Sequence, residues 1–321
     1  MLLKGMLPVW IAWLLLAVPS LRAEVVADDT PRARDIIAEH FSGYRFSIES
    51  GVRWQQGTAL ELVYNGPFLL SELTWDIKDL LYAGVMLRLD LGERWAFQAS
   101  HWEAITKGRG GMTDYDYLIP WIWTDFSDGT VDINRAYMFE LQAAWAFWRP
   151  QPAQVQLLGG YRQLYWDWSQ YGGDYIYSVN GFRDFRGAFP DDENGINYEQ
   201  TFYVPYVGVG GRASWRQLSL QGYLHYSSIA WARGFDEHVL RDLFFEDTFD
   251  RVTYYAAGMS LVYQPGTRWY LSGAWDWHDI PATRGDVKII DAVDGSEQRI
   301  DDSAGIANRA WSLTLSTGMR F

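Results

Sequence analysis

The chain has 321 residues, a formal net charge of −13 and no cysteine, which excludes a disulfide scaffold and thiolate chemistry and argues against nucleic acid or an anionic surface as a partner. Aromatic residues make up 17% of it, with 18 Trp and 20 Tyr, although mean hydropathy is −0.20. A soluble core does not need so many amphipathic rings; a membrane β-barrel does, because Trp and Tyr girdle both lipid–water interfaces while alternate strand residues face water.

Residues 1–23, "MLLKGMLPVWIAWLLLAVPSLRA", set Lys4 before an apolar run from Leu7 to Val18 and end on Ala23, ahead of the acidic "EVVADD". The run is too short to span a bilayer as a helix and no second apolar span follows, so it predicts a secretory signal. Residues 24–42 are expected to form an N-terminal periplasmic segment. Residues 43–321 are expected to form one barrel domain, since neither a repeat nor a Ser/Pro-rich linker divides them.

Period two dominates that domain. In "AWSLTLSTGMRF" the side chains of Trp311, Leu313, Leu315, Met319 and Phe321 share one face and Ser and Thr the other, as in a strand with lipid on one side and a polar lumen on the other. The pattern predicts strands at 43–64, 70–91, 94–108, 133–148, 153–169, 199–214, 216–232, 249–264, 268–280 and 305–321. The fold class is therefore all-β: a closed ten-stranded antiparallel transmembrane β-barrel with long extracellular loops. Tight turns are expected at 92–94, 149–152, near Trp215 and at 264–268, and long loops rich in Gly, Asp and Asn at 109–132, 170–198, 233–248 and 281–304. An even strand count brings all the long loops to one mouth, which in such barrels is the extracellular one.

Two i, i+2 pairs fall in those loops. Asp114 and Asp116 stand in "RGGMTDYDYL", and Asp236 and His238 in "ARGFDEHVL". In extended chain such residues point to one face, so the first pair is a carboxylate couple and the second an acid beside an imidazole. The acid would orient the imidazole and raise its pKa, and two close carboxylates would share a proton or a water. Together they describe a water-activating site with His238 as general base and no covalent nucleophile. Each pair alone is also ordinary loop charge, and His40, His101, His225 and His278 lie away from both pairs, so no metal site is expected.

Six stretches in order resemble the omptin family of outer-membrane proteases: "SELTWDIKDLLYAGVMLRLDL", "KGRGGMTDYDYL", "WTDFS" at 123–127, "GGYRQLYWDWSQYGGDYIYS", "NGFRDFRGAFP" and the Asp-x-His of "DEH". The resemblance covers nearly the whole mature chain. It implies a barrel whose strands extend beyond the membrane and carry a protease groove at the outer mouth. Asp236 and His238 would be the water-activating dyad there, with Asp114 and Asp116 as the opposing couple. It also implies cleavage beside basic residues. "GTALELVYN" at 57–65 then places Glu61 at one acid of the specificity pocket, whereas Gly234 stands where a second acid is expected, and Asp125 and Ser127 match polar residues on the primed side of the groove. Family members need lipopolysaccharide as activator, gripped on the barrel exterior. Here Tyr161 matches the tyrosine of that grip and Gln163 replaces its acid; Tyr165 and Thr201 stand in place of arginines, with Arg162, Arg183 and Arg186 nearby in sequence.

The sequence thus predicts an endopeptidase of the bacterial outer membrane, its active site facing outward, that cleaves extracellular peptides or proteins next to basic residues. It needs no cofactor apart from lipopolysaccharide as the implied activator, and its partners are cationic polypeptides and outer-membrane lipid. The alternative is an inactive barrel of the same kind that serves as an adhesin or invasion factor through its loops. A small porin fits poorly, because ten strands rich in aromatics leave little room for a channel.

Overall fold

The computed structural model describes residues 44–150 and 152–321, so the expectations for 1–23 and 24–42 lie outside the described residues. Eleven antiparallel strands follow one another: β1 (Tyr44–Asn65), β2 (Phe68–Leu91), β3 (Trp95–Ala104), β4 (Gly111–Asp116), β5 (Asp125–Trp148), β6 (Ala153–Tyr177), β7 (Phe185–Trp215), β8 (Leu218–His238), β9 (Leu243–Tyr263), β10 (Trp269–Asp291) and β11 (Glu297–Arg320). β3 and β4 occupy a single place in the ring, since both lie between β2 and β5. The ring therefore has ten places, and it closes because β1 pairs with both β2 and β11.

The half of the barrel nearest the short turns faces lipid. Its outward positions carry exposed Val52, Leu141, Leu157, Val209, Leu220, Leu261 and Leu315, side chains that only a hydrocarbon surrounding makes favourable in such number. Trp95, Trp148, Trp215 and Trp269 mark the turn end of this belt. Ring pairs mark its upper edge, with centroids 5.1 Å apart for Trp54–Trp311, 5.0 Å for Tyr137–Tyr165 and 5.3 Å for Tyr203–Trp231.

At or just above that edge the strands slip register. The slips lie between Ile77 and Leu80 on β2 (opposite Gly57 and Gln55), Ile133 and Arg135 on β5, Ser227 and Ala230 on β8, Phe249 and Val252 on β9, and Ile280 and Thr283 on β10. On β2 the extra residue is Asp79, whose φ of 52° puts it in the left-handed region. Each bulge reverses which residues of a strand face inward. On β8, His225 and Ser227 are buried below the slip and Ala230, Ala232 and Asp236 above it; on β9, Tyr254 and Val252 give way to Phe249 and Asp247.

These slips correct the expected boundaries. The predicted strand limits at 133, 232, 249 and 280 fall where the alternation breaks, but the hydrogen-bonded ladders continue past them. Most of the expected long loops are consequently strand, and the outer connections shrink to 117–124, 178–184, 239–242 and 292–296. Asp114 and Asp116 stand on β4, and Asp236 and His238 close β8, so none of the four is a loop residue.

Side chains fill the lumen at the level of the slips. Trp75 and Trp168 stack on Tyr198 at 5.3 and 5.8 Å, and Trp166 lies 6.3 Å from Trp168. Gln200 crosses the barrel to donate to the Leu60 carbonyl at 3.0 Å, and its own oxygen accepts from Asn308 at 3.0 Å. This fully buried floor suits a platform for a site above it and leaves the porin reading without a channel at that level.

Candidate active site

Above the floor and outside the lipid belt, β4 and β8 face each other. Four steps separate them one way round the ring, through β5, β6 and β7, and six the other way. Extended pairing fixes each couple. Asp114 and Asp116 lie opposite Leu73 and Ser71 of β2 and opposite Ser127 and Asp125 of β5, while Asp236 and His238 lie opposite Tyr198 and Ile196 of β7. With a period of two, both members of each pair point into the mouth.

His238 Nε2 is 2.9 Å from Asp236 Oδ2. The carboxylate is almost wholly buried and the ring is not, with side-chain exposures of 2% and 20%. One nitrogen is thus tied down and the other, Nδ1, is left to take a proton. The sequence led to the expectation that the acid would raise the imidazole pKa. Instead burial holds it below the usual histidine value, with Arg241 adding to the effect and Glu61 and the two β4 aspartates opposing it. A ring held neutral in this way is fit to act as a base at neutral pH.

On the facing wall Asp114 Oδ1 accepts a hydrogen bond from Ser71 Oγ at 2.9 Å. Burial first, then the charge of Asp116, pushes Asp114 up to about 7, against the Ser71 bond and the charges of His238 and Arg241. Asp116 is raised by burial and by Asp125. Each couple contributes to the titration of the other, as groups facing each other across the mouth do.

Glu61 comes into the same gap from β1. It is 4% exposed and accepts a hydrogen bond from Trp75 Nε1 at 3.3 Å. Burial first, then the nearby charges of Asp236 and Asp247, raise it well above an ordinary glutamate.

The other sequence-derived residues are more dispersed. Asp125 is buried, and its Oδ1 accepts the Ser178 backbone N–H at 2.9 Å, which ties the end of β6 to β5. Ser127 lies beside Asp114 in register, on the groove side of the sheet. Tyr161 and Gln163 are on the outer face of β6, where Gln163 Nε2 donates to Tyr137 Oη at 2.8 Å and Tyr165 Oη to Glu199 at 2.8 Å. Arg162 faces inward, to Glu140 at 2.9 Å and Tyr254 Oη at 2.7 Å, and Arg183 stacks on Trp123 with 3.1 Å between its guanidinium carbon and the ring centre. Among the described residues no set of His, Asp and Glu side chains is arranged to hold a metal ion.

Sequence reasoning missed Ser71, Trp75, Arg241 and Asp247. Trp75 carries no polar signal that would have marked it. Asp247 lies in "FFEDTFD", inside an expected loop, where nothing indicated the direction of its side chain.

The Omptin family model matches residues 42–321. Outer membrane protease OmpP of Escherichia coli (strain K12) is 27% identical over 296 residues, covering 88% of this chain and 92% of that protein. The plasminogen activator of Yersinia pestis is 26% identical over 284 residues, covering 86% and 89%. Among solved structures, outer membrane protease OmpT from Escherichia coli superimposes with a TM-score of 0.83 at 24% sequence identity, covering 86% of this chain and 97% of that one. The match over nearly the whole described barrel, with the same fold at the outer membrane, means that the chain belongs to the omptin family.

Proposed function

We propose that this protein is an endopeptidase of the outer membrane that hydrolyses polypeptides beside basic residues, using water held between the Asp236–His238 dyad and the Asp114–Asp116 couple. The observation that carries this reading is the 2.9 Å contact between a buried carboxylate and a partly exposed imidazole, on the wall facing a second carboxylate pair whose Asp114 is pushed up to about 7 by burial.

The division of labour follows from the protonation states. His238 is neutral and takes the proton of the attacking water, and Asp236 then stabilises the imidazolium that forms. Asp114 shares a proton with its surroundings at neutral pH and can donate it to the developing oxyanion or to the leaving amine. Asp116 orients the water. No side chain needs to bond to the substrate, and the relatives named as proteases are consistent with hydrolysis of peptide bonds. Basic preference is supported by the acids around the dyad, Glu61 among them, and by the chain's net charge of −13.

The exterior supports a weak need for lipopolysaccharide. Around Tyr161 and Gln163 the charged side chains include Glu199, Asp167, Glu103 and Arg135, and Arg135 is already paired with Glu103 at 3.0 Å. Among the described residues Arg233, exposed on β8 opposite Thr201, is the guanidinium of that surface left without an ion pair, so the fork for phosphate is reduced rather than absent.

The adhesin reading draws on apolar tips at the mouth, where Trp121 is 82% and Val293 77% exposed. Cleavage of a quenched Arg-Arg peptide by the refolded barrel, beside His238→Ala, separates the two. The variant should lose about a thousandfold or more in turnover while keeping heat-modifiable migration, and rates with and without lipopolysaccharide should agree within a few fold. Equal turnover by the folded variant would remove the dyad, and a silent wild type would leave the adhesin.

A further inference from the structure

Asp247 of β9 has no part in the chemistry above, yet it is built into the same well. It is 6% exposed, and its Oδ1 has no hydrogen-bond partner in the protein. It points inward because of the register slip on β8–β9, and it lies directly opposite Gly234, two residues below Asp236. A Cβ added at Gly234 would sit 3.2 Å from both the Cβ and the Oδ2 of Asp247. The Asp247 carboxylate thus lies over the glycine, and a side chain at 234 would require it to shift.

Three carboxyl groups from three strands, Glu61, Asp236 and Asp247, share this volume, and Glu61 feels the charge of both others. Among the described residues none of the three is within ion-pair distance of a lysine or arginine; the one basic partner is the His238 ring, on Asp236. Nor is the set arranged for a metal ion. Burial without a counter-charge pushes Asp247 up to about 7. Such groups are costly in a protein that has no use for them. Tyr198 lies opposite Asp236 in register, and its ring stacks on Trp75, whose Nε1 donates to Glu61. A flat aromatic wall next to unpaired carboxylates is suited to a guanidinium, which stacks and donates bidentate hydrogen bonds.

We propose that Asp247, together with Glu61, forms the acidic end of a pocket beneath the dyad that receives the arginine or lysine side chain next to the scissile bond. Asp247 thereby supplies the second acid that Gly234 cannot. This rests on the endopeptidase reading for its location, but not for its test, which is a binding measurement.

The test compares two otherwise identical peptides, one with arginine at the cleavage position and one with citrulline, its neutral isostere. In the His238→Ala barrel, which binds without cutting, fluorescence anisotropy gives the affinity for each. Arginine should be preferred by about tenfold or more, the order expected for a charge-assisted hydrogen bond. Adding Asp247→Asn should reduce that preference to within about threefold, and moving the acid across the strands with Gly234→Asp/Asp247→Gly should restore it. A preference that survives Asp247→Asn in a folded barrel, or no preference in the parent, would overturn the assignment. Peptide bound with the expected preference but not cut by wild type would instead overturn the peptidase reading and leave the pocket standing.

Discussion

Ser71→Ala should move one limb of the pH profile and leave the other in place. Ser71 Oγ donates to Asp114 Oδ1 at 2.9 Å, and that bond favours the ionised carboxylate. Its loss therefore raises the Asp114 pKa from about 7. A hydrogen bond to a charged group is worth about 1.5–3 kcal/mol, and one pKa unit about 1.4 kcal/mol, so the shift should be about one to two units. If Asp114 works as the proton donor, activity falls as pH rises through its pKa. The alkaline limb should then move up by that amount. His238 must be neutral to act as base, so it sets the acid limb, below the usual histidine value because burial lowers it; Ser71 does not touch that ring. The assay is kcat/KM on the quenched Arg-Arg peptide from about pH 5 to 10 at constant ionic strength, since kcat/KM reports the free enzyme. An unmoved alkaline limb would refute the donor role. If Asp114 has to be ionised instead, activity would rise through about pH 7 in wild type, and the variant would shift that rise upward.

Two further outcomes follow from the same structure. Asp247 titrates near 7 when folded and near 3.9 when unfolded, so the stability present below about pH 4 is lost as pH rises through 7. Asp247→Asn should therefore unfold at higher urea than wild type at pH 8, by up to several kcal/mol, and at the same urea near pH 4; equal curves at both pH values would show that the carboxylate carries no burial cost. Deleting Ile229, inside the β8 slip, should leave the lower barrel and its heat-modifiable migration intact but turn Asp236 and His238 outward, abolishing turnover. Full activity in the deletion would mean that the slip does not set their direction.

The lower barrel was legible in the sequence because one rule, lipid outside and small or polar residues inside, holds over each strand from turn to upper aromatic ring. The boundaries read from it failed at the bulges. There the parity reverses, and a reader following alternation sees a strand end at Ala232 or begin at Phe249. The catalytic-type residues could still be found, since an i, i+2 pair keeps its two side chains together whichever way the strand faces. Asp247 could not be found, because its direction depends on a slip whose position the amino acids around it do not announce. Ser71 and Trp75 belong to β2 and act on Asp114 and Glu61 only through cross-strand neighbours, which no local pattern encodes.

The bulges also explain how one continuous sheet serves two solvents. Below them the outward face must be apolar and the inward face can be small or polar. Above them the exterior meets water and the interior must gather Asp114, Asp236 and Asp247, beside Glu61, whose strand β1 keeps one parity throughout. If a strand kept a single phase, the upper half would inherit the lower half's inward positions, and residues selected for the groove would have to fit that same parity along the full strand. A one-residue insertion uncouples the two halves: the parity of the groove is set independently of the parity of the belt. The aromatic floor at the level of the slips then separates the halves electrostatically as well, keeping bulk water from the underside of the acids, and burial raises the pKa values of Glu61 and Asp114. The proposed cation pocket and the proposed neutral base would both depend on that buried floor. A polar substitution at Trp75 or Trp168 would weaken both at once, although neither residue touches the reacting atoms.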